Sequence, residues 1–267
     1  MANFTSNTYT LKRKILTFSN KISKQLSKPD RKFTADITYG MLASQSCLLT
    51  DVVDQLHEDS KKINIVDRLS RHLDKGTPAK AAVSYLQMLK KWIPSEPVIH
   101  IDDSDVVKPD GYKFESLGIV RDGSESTSSK NVYKKGYHVT EACVLTGNNH
   151  PVSIFSRWKI EEYFRCKKQM FQFENFRVRK LCAINALNFY ITLCMAFLTM
   201  ISMESESNAL KVAIIKTADP VKEKVFFCYY RLAKGISGIL SYAKEGVRLW
   251  FRTKRPAYRQ LCLKLVA

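Results

Sequence analysis

The chain has 267 residues, of which 45% are hydrophobic and 25% are charged. That length and composition are those of a globular protein with a real core, in one large or two modest domains, and they exclude a disordered chain. Lys and Arg total 43 against 25 acidic residues, and the net charge of +18 suits a polyanionic partner. Nucleic acid is the first candidate for this partner, and an anionic membrane surface is the second.

The cysteines and the N-terminus bear on the compartment. The seven Cys form no Cys-x-x-Cys pair and most lie in apolar stretches. They therefore predict buried thiols in a reducing compartment and argue against a zinc site. The first 14 residues lack the apolar core of a secretion signal, so nothing in them directs export.

Residues 10–93 are predicted to be helical. The segment 11–26 carries Leu, Ile and Phe at spacings of three and four, and Pro29 is expected to end that helix. Further helices are expected over residues 34–58 and 63–73. Gly76 then breaks the chain, and Thr77 as N-cap with Pro78 at the first helical position predicts a helix to about residue 92.

The last two of these helices, joined by residues 74–76, fit a helix-turn-helix unit for DNA. Five basic residues would then lie near phosphates: Lys61, Lys62, Arg68, Arg71 and Lys80. An ordinary helical hairpin with solvated basic faces explains the same pattern equally well. The sequence leaves both interpretations open.

From residue 98 to residue 156 the pattern changes to strands. Residues 98–102 alternate apolar and polar side chains and end in the carboxylate of Asp102, and a second carboxylate, Asp103, follows directly. A polar loop is expected over residues 111–130. Strands are expected over residues 137–146 and 151–156. Residues 146–150 between them have the composition of a turn, which predicts that the two strands form a hairpin. The pattern alone indicates a mixed α and β region.

Residues 181–203 form an apolar run long enough to span a membrane, and a basic segment precedes it at residues 177–180. A transmembrane helix is therefore one interpretation. Asn185 and Asn188 lie in the first half of the run and argue against it. The other interpretation is a helix buried in a protein core.

The C-terminal segment from residue 211 to residue 267 is predicted to be helical and basic. Aromatic residues alternate there with five cations, which suits contact with a nucleic-acid backbone: Arg248, Arg252, Lys254, Arg255 and Arg259. A solvated helical face with apolar anchors is the plainer explanation of such a run.

The segment 154–168 places Arg157, Glu161 and Lys168 on one face of a predicted helix. Four residues advance a helix about 40° past a full turn, and seven fall about 20° short of two turns. One carboxylate therefore lies in a stripe between two cations. A surface ion pair explains Arg157 and Glu161 without any function, because such pairs are common at this spacing. An acid on this helix and Asp102 at a strand end could instead share a divalent metal ion.

With both motifs placed, the sequence resembles the DDE transposases of bacterial insertion sequences, in the group with a Tyr-Arg-Glu-Lys signature. Arg157, Glu161 and Lys168 match that signature, and Ile154 stands where Tyr is expected. The first acidic motif of the family matches residues 101–104. The resemblance implies that Asp102 and Glu161 are the first and last catalytic acids and ligands of Mg²⁺ or Mn²⁺. Arg157 and Lys168 would hold the DNA phosphates beside them.

The second catalytic Asp of the family has no counterpart in this chain. The family carries it on a strand between the first Asp and the Glu, and here residues 124–217 contain no Asp. The strand 151–156 runs directly into the segment that bears Glu161. We interpret this as an internal deletion that joined two distant parts of a longer protein.

The resemblance also implies a fold, namely a mixed α/β protein with a partial ribonuclease-H-like core between helical flanks. The expected parts are a helical DNA-binding region at 1–95, a core at 96–203 and a basic helical region at 204–267. The core would hold strands within 98–156, the Glu-bearing helix from about 157 and the apolar helix 181–203.

The implied function is metal-dependent DNA strand cleavage and transfer, weak or lost in this shortened chain. Its partners would be double-stranded DNA, at the element's terminal inverted repeats and target, and another copy or an intact transposase in an oligomer. The expected location is the bacterial cytoplasm, at the nucleoid. The alternatives are a noncatalytic DNA-binding derivative that interferes with transposition, and a basic membrane-anchored protein.

Overall fold

The computed structural model describes residues 2–147, 150–155, 166–218, 228–243 and 246. Within these residues the chain forms eight α-helices, a helical turn at residues 166–170, one short 3-10 helix and a four-stranded antiparallel sheet. The prediction of a mixed α and β fold is confirmed.

The first two helices follow from an apolar stripe and from capping chemistry. Helix α1 spans Ala2–Ser23 and buries Leu11, Ile15, Phe18 and Ile22, whose spacing of four, three and four places them on one face. Helix α2 spans Lys28–Ser44, and its N-cap is a Ser side chain at position 27. The predicted breaking residue at position 29 lies in the first turn of α2, where Pro needs no hydrogen-bonded N–H.

The helix predicted over residues 34–58 is two helices. Helix α2 ends at Gln45, whose φ of 52° is left-handed, and α3 spans Leu49–Asp54. The backbone N–H of Cys47 donates to the carbonyl of Phe171 at 2.8 Å. This bond comes from a distant segment, which explains why the local sequence did not reveal the break.

Helix α4 spans Lys62–Leu73, as predicted, and α5 spans Ala79–Leu89. The N-cap of α5 is Pro78 rather than Thr77, so the predicted capping hydrogen bond is absent there. Helix α4 packs mainly on α3 and on a later apolar helix, whereas α5 packs mainly on α1. Because the two helices pack chiefly on other elements, this arrangement does not favour a helix-turn-helix unit.

The sheet is built around one long strand. Strand β1 spans Ile99–Val107, β2 spans Gly118–Arg121, β3 spans Tyr133–Leu145 and β4 spans Pro151–Phe155. Strand β3 pairs with β1 along one edge and with β2 and β4 along the other. The predicted hairpin of the last two strands is confirmed by the pairing of β3 with β4.

Strand β1 is longer than the sequence predicted. It continues five residues beyond Asp102, so the acids at 102, 103 and 105 lie inside the strand and not at its tip. Pairing with β3 runs without interruption from Ile99 to Val107. Within the described residues β1 is bonded to β3 alone, so it lies at an edge of the sheet.

The apolar run forms the central helix of the core. A 3-10 helix at Phe173–Asn175 precedes α6, which spans Leu181–Ser202 and matches the predicted boundaries closely. Helix α6 packs on α2, α4, β4 and the last described helix. Its length and composition alone would allow it to cross a membrane, but 72% of its most apolar window is buried within the protein.

Two helices complete the described chain. Helix α7 spans Ala209–Thr217 and α8 spans Tyr229–Leu240. Both pack on α1, and α8 also contacts α2 and α6. Buried residues from all three predicted regions therefore contribute to one continuous core. The five cations predicted to contact DNA at residues 248–259 lie outside the described residues.

The contact between α7 and α8 depends on a glycine, and we predict that Gly235→Ala destabilises the protein. A Cβ at position 235 would lie 2.0 Å from the carbonyl oxygen of Ile214. Ala favours a helix over Gly by about 1 kcal/mol, but overpacking of a tight contact costs about 1–3 kcal/mol. We expect a net loss in the free energy of unfolding, measured by urea denaturation.

The matched control is Gly123→Ala, because no described atom lies within 4 Å of a Cβ built there. That substitution should change the free energy of unfolding by less than about 0.5 kcal/mol. Equal effects of the two substitutions would show that α7 and α8 do not approach each other this closely.

Candidate functional site

The predicted catalytic residues are only partly within the described chain. Asp102 lies in β1 and Lys168 follows in the segment 166–170. Arg157 and Glu161 lie outside the described residues. The site can therefore be followed from Asp102 on one side and from residues 166–168 on the other.

Asp102 is half-buried in the middle of β1, directly opposite Glu141 of β3. Residues directly opposite in an antiparallel pair point to the same face, with Cβ atoms about 4.5–5.5 Å apart. One carboxylate oxygen of Asp102 accepts the backbone N–H of Asp103 at 3.0 Å. Two acidic side chains thus share one face of the β1–β3 pair.

Glu141 is almost completely buried and is paired with a buried lysine. The Nζ of Lys167, which has no exposed surface, donates to a Glu141 carboxylate oxygen at 2.7 Å. It also donates to the side-chain oxygens of Asn188 at 3.1 Å and Thr192 at 2.8 Å. The other carboxylate oxygen of Glu141 accepts the hydroxyl of Ser153. An ammonium group has three donors, and this arrangement uses all three.

The neighbouring lysine binds the adjacent strand. The Nζ of Lys168 donates to the backbone carbonyl of Asp105 at 2.8 Å and lies 2.8 Å from the carboxylate of Glu174. Lys167 and Lys168 therefore attach the same short segment to β3 and to β1. We call residues 166–168 and their partners on the two strands the lysine clamp.

Sequence reasoning missed Glu141 and Lys167. Glu141 lies on a predicted strand, but the strand pattern does not decide which face it occupies. The face of Glu141 is set by its pairing with Asp102, which lies 39 residues earlier in the chain. One signal for Lys167 was present in the sequence. Asn188 is a polar residue in the otherwise apolar helix α6, and such a residue needs a polar partner, which the structure shows to be Lys167.

The metal prediction remains untested by the described residues. Among them, no group of three His, Cys, Asp or Glu side chains could hold a metal ion. Asp102 is the one predicted ligand that they include. Glu141 faces it, but both of its oxygens already accept hydrogen bonds from Lys167 and Ser153. Glu141 is therefore a poor replacement for the missing second Asp.

The predicted DNA-contacting residues on α4 and nearby differ in their surroundings. Lys61, Arg71 and Lys80 are exposed and make no ion pair with the described residues. Lys62 is also exposed, and its Nζ lies 2.7 Å from the carboxylate of Asp54. A surface pair of this kind is weak and can exchange for a phosphate.

Arg68 differs from the others because its charge is balanced inside the protein. Its guanidinium donates to both oxygens of Glu58, at 2.7 and 2.9 Å, and to Asp36 at 3.1 Å. Lys32 binds the same two acids. These contacts join α2, α4 and the loop between α3 and α4. Arg68 is therefore the least available of the five predicted phosphate ligands.

The two acids of this network respond differently to their surroundings. Burial alone would raise the pKa of Glu58, but the hydrogen bonds from Arg68 and Lys32 lower it to about 2. For Asp36 burial dominates, and its pKa is raised despite the same two cations. Of these two acids, Glu58 is therefore the one whose ionised carboxylate stabilises the folded state.

Comparisons with known proteins give no relative. No protein-family model, curated protein or solved structure matches the chain. Any function must therefore be argued from the residues and their arrangement.

We predict that Lys167→Met is strongly destabilising. Removal of one partner from a buried pair leaves an uncompensated charge and typically costs about 3–5 kcal/mol. The double variant Lys167→Met/Glu141→Leu should recover much of that loss, because neither charge remains in the core. Urea denaturation of both variants measures the two effects.

The adjacent residue supplies the control. Lys168→Met removes a partly exposed side chain with two hydrogen-bonding partners, and we expect a loss of about 1 kcal/mol. If Lys167→Met costs no more than Lys168→Met, or if the double variant is less stable than the single one, the buried pair does not organise the core in this way.

The pH dependence of stability should reveal Glu58. A depressed folded-state pKa stabilises the protein above the unfolded pKa, and this contribution is lost as the pH falls toward the folded pKa. For Glu58 that window runs from its ordinary value of 4.5 down to about 2. We expect the stability difference between the wild type and Glu58→Gln to be largest above this window.

Urea denaturation at several pH values measures that difference, which should narrow steadily through the acid range. Glu96→Gln is the control, because Glu96 is exposed and has no ion pair among the described residues. A gap between wild type and Glu58→Gln that is independent of pH would contradict the depressed pKa of Glu58.

Proposed function

We propose that this chain is a shortened DDE transposase of the Tyr-Arg-Glu-Lys group, with little or none of the strand-transfer activity. In this proposal strands β1 to β4 and helix α6 are the remainder of a ribonuclease-H-like core. The support comes from two motifs in the family's order, Asp102 with its following acid and Ser, and the Arg157, Glu161 and Lys168 series. No relative identified by comparison adds to that support.

The observation that carries the proposal is the lysine clamp. A shared site requires the segment that bears Glu161 to end beside the strand that bears Asp102. Lys167 contacts Glu141, which is directly opposite Asp102, and Lys168 contacts the backbone of β1. Glu161 lies six positions before Lys167 in the sequence, which is about 9 Å along the axis of an α-helix. The proposal places Glu161 and Asp102 on the same face of the sheet.

The proposed metal is Mg²⁺ or Mn²⁺, held by Asp102 and Glu161. Two such ions would activate the attacking oxygen and stabilise the leaving oxygen of a phosphodiester. Arg157 and Lys168 are predicted to hold DNA phosphates beside them, but Lys168 is engaged by Asp105 and Glu174. With the second Asp missing and Glu141 paired, the set of carboxylates is incomplete, and this favours weak or absent catalysis.

DNA binding is the activity that the proposal expects to survive. The net charge of +18 provides a strong attraction for a polyanion. Lys61, Arg71 and Lys80 are exposed cations on the N-terminal helical region and are suitable phosphate ligands. The C-terminal cations at residues 248–259 would add to them. The bacterial cytoplasm, at the nucleoid, is the location that follows.

The second candidate is a noncatalytic DNA-binding protein that interferes with an intact transposase. The engagement of Glu141 by Lys167 and Ser153 favours it, because the carboxylate opposite Asp102 is then a poor replacement for the missing Asp. Such a protein could occupy the terminal inverted repeats or join mixed oligomers. A membrane anchor is the weakest of the three functions, because most of α6 is buried within the protein.

One experiment separates the candidates. Purified protein is mixed with DNA that carries the element's ends, in Mg²⁺ or Mn²⁺, and both binding and strand cleavage are measured over a range of salt concentrations. We expect binding that weakens steeply with salt and little or no cleavage. Lys61→Ala/Arg71→Ala/Lys80→Ala should lower the salt slope by about 0.9 for each phosphate that the protein no longer neutralises.

Asp102→Asn serves as the control, because it should leave binding to DNA intact. Efficient cleavage that Asp102→Asn abolishes would show that the chain retains a working site and would exclude the noncatalytic candidate. Absence of salt-dependent binding to DNA would overturn both candidates.

A further inference from the structure

Strand β1 is an edge strand in the described part of the chain. It pairs with β3 on one side, and the other partners of β3 lie on its opposite edge. An edge strand presents backbone donors and acceptors that can pair with another strand. The register of β1 with β3 determines which of these groups have no partner on β3.

The register decides which backbone groups of β1 face outward. The N–H of Lys108 donates to the carbonyl of Lys135 at 2.7 Å, and this pair continues the β1–β3 register by one position. Hydrogen-bonded and non-bonded pairs alternate in an antiparallel ladder. The N–H and C=O groups that point away from β3 therefore belong to alternate residues, namely Ile99, Ile101, Asp103, Asp105 and Val107.

The C-terminal half of this edge is partly satisfied. The outward N–H of Asp103 donates to the side chain of Asp102 at 3.0 Å. The outward carbonyl of Asp105 accepts the Nζ of Lys168 at 2.8 Å. For Ile99 and Ile101, no hydrogen-bond partner lies among the described residues. The open part of the edge is therefore its N-terminal half.

That open half is also apolar and exposed. Val98, Ile99 and Ile101 have 67%, 57% and 61% of their surface exposed. Ile99 and Ile101 lie on the same face of the strand because side chains alternate. An exposed apolar edge with unpaired backbone groups is a site for strand addition.

We propose that this edge pairs with the same edge of a second copy of the chain. Antiparallel pairing centred on residue 100 sets Ile99 of each copy opposite Ile101 of the other. Both of these pairs then exchange two backbone hydrogen bonds, which gives four in total. The contact is isologous, and it closes with two-fold symmetry.

Charge and backbone chemistry select this register. Centring on residue 100 sets Asp102 opposite Val98, so the carboxylates of the two copies stay apart. Centring on Asp103 would place like charges directly opposite, which is destabilising. Pro97 lies just before the open segment and has no N–H, so it ends the ladder there. In this register the apolar pairs are those of Ile99 with Ile101.

The predicted dimer is small and therefore weak. Four hydrogen bonds and three apolar side chains from each copy fall below the area of about 1,200 Å² that stable interfaces bury. The proposal does not depend on any transposase activity. It concerns a sheet edge, and it would hold for a DNA-binding protein of any origin.

Sedimentation equilibrium of the full chain tests this over about two orders of magnitude in concentration. We expect a reversible monomer–dimer equilibrium. Ile99→Lys/Ile101→Lys, which adds charges at the edge, should leave a monomer at every concentration. Ile119→Lys is the control, because Ile119 on β2 is 65% exposed and lies away from this edge. It should dimerise like the wild type.

Ile101→Pro is a second variant that removes one outward N–H while leaving the bonds to β3 unchanged. It should weaken dimerisation more than Ile101→Val, and circular dichroism checks that both variants fold. If Ile99→Lys/Ile101→Lys does not fold, the comparison of Ile101→Pro with Ile101→Val tests the proposal in its place. A wild type that stays monomeric throughout overturns the proposal. A dimer or larger assembly that survives both edge variants also overturns it.

Discussion

The ion pair between Lys167 and Glu141 is the interaction that joins the sheet to the helices. Placing two charges in a core costs several kcal/mol for each ion unless hydrogen bonds replace the lost water. Here the ammonium has three partners, and both carboxylate oxygens accept a hydrogen bond. The requirement to satisfy these groups holds β3, β4, α6 and the segment 166–170 in one arrangement. Hydrophobic contact alone would tolerate many arrangements of the same apolar surfaces.

This constraint explains why an apolar helix carries polar residues on one side. Asn188 and Thr192 are four residues apart, so they lie on the same face of α6 and reach the same ammonium. The rest of α6 packs on α2, α4 and α8, and there Thr199 shares a buried hydrogen bond of 2.6 Å with the hydroxyl of Tyr229 on α8. A helix that is long and apolar enough to cross a membrane can thus be the core helix of a folded chain. The polar face is what distinguishes the two roles here.

The sequence predicts what local chemistry determines. The sequence pattern predicts α4, a continuous apolar run predicts α6, both with nearly correct ends, and the turn composition predicts the β3–β4 hairpin. The errors arise where a distant segment intervenes. The carbonyl of Phe171 accepts the N–H of Cys47 just after the break at Gln45, and pairing with β3 continues along β1 beyond Asp102. No local pattern contains these partners.

The same limit applies to the candidate site. Asp102 can be identified from its motif. Glu141 and Lys167 can be identified only from the strand pairing and from the burial of their side chains, which depend on segments distant in the sequence. By composition alone, Arg68 counts as a free cation. Its partner Glu58 lies ten residues away in a loop, and the bidentate geometry arises only after α4 has packed. Charge counts thus overestimate the number of cations available to DNA.

Strand β1 shows how two possible functions can occupy one segment without conflict. Side chains alternate between the two faces of the sheet, so Asp102 points with Glu141 toward the clamp, and Ile99 and Ile101 point to the other face. The outward backbone groups lie in the plane of the sheet and belong to neither face. A partner strand at the edge would therefore leave the Asp102 face free for a metal ion or DNA. Because Lys168 already holds the carbonyl of Asp105, pairing and the clamp use different ends of the strand.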